Sequence, residues 1–310
     1  MEQQYVSLRR KGNINKFTRF IRSNYVGWLF NLPLILGLII FTAVPMCLSL
    51  FYSFNNTYVE ASGVTTIWCG LKNYIDIFQD DEMPTIVKNT IIFTCISVPL
   101  NIVLSYFLAL LVNTKFKFTN FFRVLYYLPC IIPAVVSGLL WKDLTDSSFG
   151  IFNQLLKFVG LPTFTFFSDA KTALASLLIM NVWGVGGGMV LWLSAFKNIP
   201  KSLYEAARME GACAFQRFYK ITLPLSTPMI FYNAVMSIIG TLQFNGTLTL
   251  SDGKGPDNSL YFYGVKVYWE AFQKGDIGYG AALSWLLFLV VALLTFVLFA
   301  TSKWVYYQED

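Results

Sequence analysis

Residues Ile277–Ser302 read IGYGAALSWLLFLVVALLTFVLFATS, a run without a single charge between Asp276 and Lys303. A helix that crosses the hydrocarbon core of a bilayer needs about 20 mostly apolar residues, so this run predicts one membrane span. Five more runs of 18 or more uncharged residues precede it: Ser23–Val59, Asn89–Thr114, Val124–Trp141, Thr172–Phe196 and Ile221–Ser251. One span in each gives an all-α polytopic membrane protein with six transmembrane helices. Pro45, Pro99, Pro129 and Pro133 lie inside these runs, where packed membrane helices tolerate kinks. The composition agrees. Of 310 residues 55% are hydrophobic and 13% charged, with mean hydropathy +0.55, whereas a soluble domain is about a quarter charged.

The placement of charge sets the topology. Basic residues concentrate at Arg9–Arg22, at Lys115, Lys117 and Arg123, between Lys197 and Lys220, and at Lys303. All of these fall on one side of a six-span chain, and basic residues mark the cytoplasmic side. Both termini and the loops near 118 and 210 are therefore expected in the cytoplasm. The net charge of +6 then reports topology, and no nucleic-acid partner is expected. Residues 1–25 form a basic N-terminal segment in which Ile14, Phe17, Phe20, Ile21 and Tyr25 recur at helical spacing. That pattern fits a helix lying in the membrane interface, and a disordered basic tail remains the alternative. Residues 26–303 form the membrane domain and 304–310 a cytoplasmic tail. The five cysteines are scattered without a CxxC pair, which gives no disulfide framework.

The spans are notable for what they lack. The chain has no histidine, so imidazole catalysis and histidine-held metals are excluded. No span carries an ionisable group near its middle, where proton- or ion-driven transporters place them. No base stands beside an intramembrane nucleophile, so the chain is not expected to be an enzyme. Neutral polar groups are present instead: Asn101, Asn181, Ser237, Thr241, Gln243 and Asn245, with Trp141, Trp183 and Trp192 nearby in sequence. Asn181, Ser237, Thr241, Gln243 and Asn245 are the candidate substrate pathway, since amides, hydroxyls and aromatic faces suit an uncharged polyhydroxyl solute. Hydrogen bonding between helices is the competing role for each of them. Gly184–Gly188 lacks the strand and the GK[ST] of a phosphate loop and reads as close packing or a break in the helix.

Residues 198–228 read NIPKSLYEAARMEGACAFQRFYKITLPLSTP. Ser202 and Glu205 have capping-box spacing, Leu203–Glu210 makes about two turns, and Gly211 suits a left-handed helix end. A second short helix is expected to carry Phe215, Phe218 and Tyr219 on one face before Pro224 opens the next span.

This loop resembles the EAA loop of ABC-importer permease subunits: Glu205-Ala206-Ala207, then Gly211, then Ile221-Thr222-Leu223-Pro224. Glu210 stands where that family usually has Asp. Arg123 through Leu128-Pro129, Trp141 with Phe149-Gly150 and Asn153, Phe244-Asn245 through Gly255-Pro256, and Asp276-Ile277-Gly278-Tyr279-Gly280 are similar to elements of the MalF/UgpA-like sugar-importer branch. The glycine-rich segment departs from it, reading SDGKGP at 251–256. The resemblance implies a type I ABC importer permease fold and a coupling loop at about 198–224, with Glu205, Ala206, Ala207 and Gly211 against an ATPase. It further implies a second permease subunit, two cytoplasmic ATPase subunits and an extracellular solute-binding protein as partners in a bacterial or archaeal membrane. ATP would be used by the partner, with no cofactor held by this chain. A mono- or oligosaccharide is the expected solute; a polyol or phosphorylated polyol, or a stand-alone channel, are the alternatives.

Overall fold

The computed structural model describes residues 25–60, 63–114, 117–250 and 252–305. The segment 1–24, for which the interfacial helix is expected, and the last five residues of the tail lie outside these. The chain divides near Tyr52 into two compact units. The first holds one apolar rod, Leu29–Ser53, built from α1 (Tyr25–Leu38), a π-helical turn (Ile39–Ala43) and α2 (Val44–Ser53). Pro45 has no amide proton to give the preceding turn. The Val44 N–H bonds Ile39 O, one residue further back than in an α-helix.

The second unit opens with a hairpin, β1 (Asn55–Glu60) and β2 (Gly63–Trp68), antiparallel with Asn55 opposite Trp68. There follow α3 (Lys72–Gln79), α4 (Met83–Val112), α5 (Thr119–Ile131), α6 (Ala134–Leu144), α7 (Ile151–Phe158), α8 (Ala170–Trp183) and α9 (Gly186–Asn198). After them come α10 (Lys201–Met209), α11 (Ala214–Arg217), α12 (Thr227–Leu242), α13 (Tyr263–Tyr268) and α14 (Ile277–Ala300).

Three stretches, Leu29–Ser53, α4 and α14, are continuous helices long and apolar enough to cross a membrane. The other three spans are bent pairs. The third is broken by 98° between α5 and α6, the fourth by 44° between α8 and α9, and the fifth by 59° between Ala214–Leu225 and α12. The expectation of a single helix in Val124–Trp141 is therefore corrected. Ile132 precedes Pro133, and a residue before proline is pushed out of helical geometry; its ψ is 127°. The hairpin also departs from an all-α reading. Its strands, NNTYVE and GVTTIW, are rich in β-branched residues, which suit a pleated surface.

Gly186 explains the glycine cluster. A Cβ there would overlap the Tyr126 carbonyl of α5, so the backbone of α9 packs directly on α5. Among the described residues, buried side chains form two clusters. One joins Ile86 and Phe93 of α4, Trp141, Leu177, Phe262 and Leu283. The other joins Tyr106 and Ala109, near the end of α4, to Met189, Trp192 and Phe196 of α9. At 30 residues, α4 is about 45 Å long and links the two.

Candidate functional site

At the second cluster, α10 stands almost clear of the body. Glu205 and Ala206 are exposed, Met209 is 88% exposed, and only Tyr204 and Ala207 turn partly inward. The helix begins at Lys201 behind Pro200, and Ser202 makes no capping bond, so the capping box expected of Ser202 and Glu205 is not formed. Pro200 takes the N-cap position at ψ 129°, which puts the start ahead of Ser202 and leaves Glu205 free to face outward. The capping box belongs instead to α11, where Cys213 accepts from the N3 amide and the Cys213 N–H donates to Gln216 Oε1 at 2.8 Å.

Gly211 ends α10 at φ +82°. Ala212 N–H bonds Ala207 O at 2.9 Å and Gly211 N–H bonds Arg208 O at 3.0 Å, the paired bonds of a Schellman end. That turn sets α10 at an angle to α11. Beyond it, Phe215 and Tyr219 are exposed and stack 6.5 Å apart at 10°. Phe218 does not share their face; it packs 6.2 Å from Tyr106.

The neutral polar residues divide between two settings. Asn181 on α8 accepts from Asn101 Nδ2 at 2.6 Å and from Ser97 Oγ at 3.3 Å, so it ties α8 to α4. Thr241 is buried and bonds the Ser237 and Ile238 carbonyls of its own helix. Ser237 is half-buried on α12, while Gln243 and Asn245 are exposed just past its end. Trp183 is partly exposed and meets buried Trp141 edge-on at 6.0 Å. The Asn153 amide, also buried, holds the loop beyond α7 by donating to Phe164 O at 3.0 Å and accepting from Phe164 N at 2.9 Å.

An ion cluster sits at the opposite end, where α4 and α14 begin. Lys266 is 2% exposed and lies 2.7 Å from Asp80, 2.7 Å from Glu82 and 3.0 Å from Glu270. Lys274 also bonds Glu270, and Tyr279 bonds Asp80. Burial opposes ionisation of Asp80, but the Lys266 bond, the Glu82 amide and the Tyr279 hydroxyl outweigh it and hold the carboxyl below its usual range. The Lys266 bond does the same for Glu82, against burial. Desolvation likewise opposes the charge on Lys266, and the three carboxylates overcome it, raising its pKa. The Lys266, Glu270, Lys274 spacing of four residues was the available signal for this cluster.

Residues 101–306 match the family described as binding-protein-dependent transport system inner membrane component. The chain belongs to this family. The probable ABC transporter permease protein YesP of Bacillus subtilis (strain 168) is 36% identical, covering 95% of this chain and 96% of that one. The lactose transport system permease protein LacF of Rhizobium radiobacter is 30% identical, covering 89% and 94%. A crystal structure of a bacterial ABC transporter involved in import of the acidic polysaccharide alginate contains a chain that superposes with TM-score 0.82 at 21% identity. The match covers 94% of this chain and all of that one. The fold is that of an importer permease, and the protein is a multi-pass membrane component.

Proposed function

We propose that this chain is the permease subunit of an ATP-driven ABC importer for a carbohydrate. It forms the translocation pathway with a second permease subunit, receives solute from an extracellular binding protein, and rests on two cytoplasmic ATPase subunits in a bacterial or archaeal cell membrane. The ATPases use the ATP; this chain holds no cofactor and makes or breaks no bond. Both termini and α10 lie in the cytoplasm.

The observation that carries the reading is the isolation of α10. A nine-residue helix held to its own chain through Tyr204 and Ala207, with Glu205, Ala206 and Met209 outward, is built to be gripped by another protein. Small Ala206 permits close approach, Glu205 supplies an acceptor, and Gly211 fixes the angle to α11. Movement of the ATPases then carries α10 and tilts the bent fifth span. Ser237, Thr241, Gln243 and Asn245 line the route with uncharged hydrogen-bonding groups, and Asn181 positions α8 beside it. A carbohydrate is favoured by that charge-free chemistry and by the lactose system of the relative with 30% identity.

The test is uptake by the assembled complex in proteoliposomes, using radiolabelled lactose, maltose and raffinose with glycerol phosphate as the charged comparison. Glu205→Ala should abolish accumulation of the transported sugar while the chain still inserts. Normal uptake by that variant refutes the coupling role, and preference for glycerol phosphate refutes the neutral-carbohydrate assignment.

A further inference from the structure

The second apolar cluster, on which Tyr204 of α10 packs, holds two hydroxyl pairs that the docking role does not need. Tyr204, one of the two α10 side chains turned inward, places its hydroxyl 2.8 Å from Thr222 Oγ1. Thr222 is buried and closes the π-helical turn Phe218–Thr222 in the first half of the fifth span. Four residues on, Ser226 is 1% exposed and sits at the 59° bend between Ala214–Leu225 and α12. Its hydroxyl donates to Leu223 O at 2.9 Å, so its single proton is committed, and the 3.0 Å bond with Tyr106 must be donated by the tyrosine. Tyr106 belongs to α4 and is wedged edge-on against Trp192 at 5.0 Å and Phe196 at 5.2 Å, both on α9.

The bend has a reason to exist at that point. Pro228 supplies no amide proton to the preceding turn, and Thr227 Oγ1 bonds Pro224 O at 2.7 Å instead. The helix is thus broken where Tyr106 grips it. A buried hydroxyl must be hydrogen-bonded: without Ser226 the Tyr106 hydroxyl loses its acceptor, and without Tyr106 the Ser226 hydroxyl keeps only its bond to Leu223 O. Each pair is therefore a directional contact with a preferred geometry, unlike the aromatic packing around it, which tolerates sliding.

We infer that Tyr204–Thr222 and Tyr106–Ser226 form a transmission joint. The first pair carries displacement of α10 into the π-helical turn. The second makes the bend at Ser226 pivot against α4 and α9, so that α12 and its polar residues swing when α10 moves. The four are positioning residues. The inference rests on the coupling role proposed for α10 and adds how the motion leaves that helix.

Hydrogen–deuterium exchange on the full complex, with both permeases and both ATPases and with a non-hydrolysable ATP analogue as the only added probe, tests it. In the wild type, nucleotide should change exchange both at 201–211 and at 226–232. In Tyr204→Phe and Tyr106→Phe the response at 201–211 should persist, while that at 226–232 falls by about fivefold or more, the lower end of a coupling of 1–3 kcal/mol. The double variant should be no worse than the weaker single, because the pairs act in series. Should Tyr106→Phe fail to assemble, Ser226→Ala removes the same bond from the other side, and Ser226→Thr, which keeps the hydroxyl, should restore the response. An undiminished response at 226–232 in the variants overturns the joint, as does its absence in the wild type. Absence of any wild-type response at 201–211 overturns the coupling role itself.

Discussion

Replacing Lys266 by Met keeps most of its volume and removes the charge that three carboxylates share. Asp80, Glu82 and Glu270 lie within 3.0 Å of its ammonium group. Glu82 is 39% exposed, so water and salt screen it and its share is discounted. Asp80 and Glu270 are 18% and 6% exposed and lose their buried counter-charge. Stripping one partner from a buried pair costs about 3–5 kcal/mol. Lys274 still serves Glu270 and Tyr279 still serves Asp80, which places the loss near the lower end, about 3 kcal/mol. At about 2–4 °C per kcal/mol the thermal midpoint of the purified complex should fall by roughly 6–12 °C, read by gel filtration after heating.

The pH dependence gives a sharper signature. In the wild type, Asp80 and Glu82 titrate below their unfolded values. Their stabilising contribution is complete above about pH 4 and is lost as pH falls through the folded values. In Lys266→Met, Asp80 and Glu82 lose the cation that holds them down, and Lys254, 3.6 Å from Glu82, and Lys274, on Glu270, are the basic groups left beside the cluster. The stability that the wild type loses as pH falls through the folded values of Asp80 and Glu82 should therefore be largely missing from the variant, whose acid loss below about pH 4 should be shallower. A variant within about 0.5 kcal/mol of wild type, or one whose stability falls on acidification as steeply as that of the wild type, refutes the assignment of Lys266 as the counter-charge.

Gly211→Ala must hold a side chain at φ +82°, at a cost of about 1–2 kcal/mol; uptake should fall about tenfold, and Gly211→Asn should be milder because Asn tolerates that region, as transport assays on matched amounts of complex would show. Asn101→Leu removes the 2.6 Å bond to Asn181 and should lower the thermal midpoint by the equivalent of about 0.6–1.7 kcal/mol. Gly186→Leu collides with the Tyr126 backbone and should abolish assembly, measured by recovery of the complex from membranes.

The six spans were legible because hydrocarbon imposes one requirement, length without charge, that can be counted along the chain. The break in the fourth span was legible in the Gly184–Gly188 stretch, but the other two bends were not, because they depend on local chemistry: Ile132 before Pro133, and Pro228 beyond Ser226. The hairpin was hidden because its first strand falls at the polar end of an uncharged run. Gly211 was legible as a helix end, since a glycine after a short amphipathic stretch has few other uses. Ser202 misled because capping-box spacing does not reveal that the helix starts two residues earlier, behind Pro200. The ion cluster needed tertiary structure: Asp80 and Glu82 are far in sequence from Lys266, and only the spacing of Lys266, Glu270 and Lys274 hinted at it. Asn181 shows the same limit, since its bond to Asn101 crosses between helices.

The most direct measurement is solute accumulation in proteoliposomes energised in two separate ways. The complete complex with its binding protein, given ATP on the cytoplasmic side, should concentrate the sugar. The same complex given a proton or sodium gradient without ATP should not, because no described span offers a charged group at its middle. Uphill accumulation driven by an ion gradient alone would contradict the coupling of this chain to an ATPase.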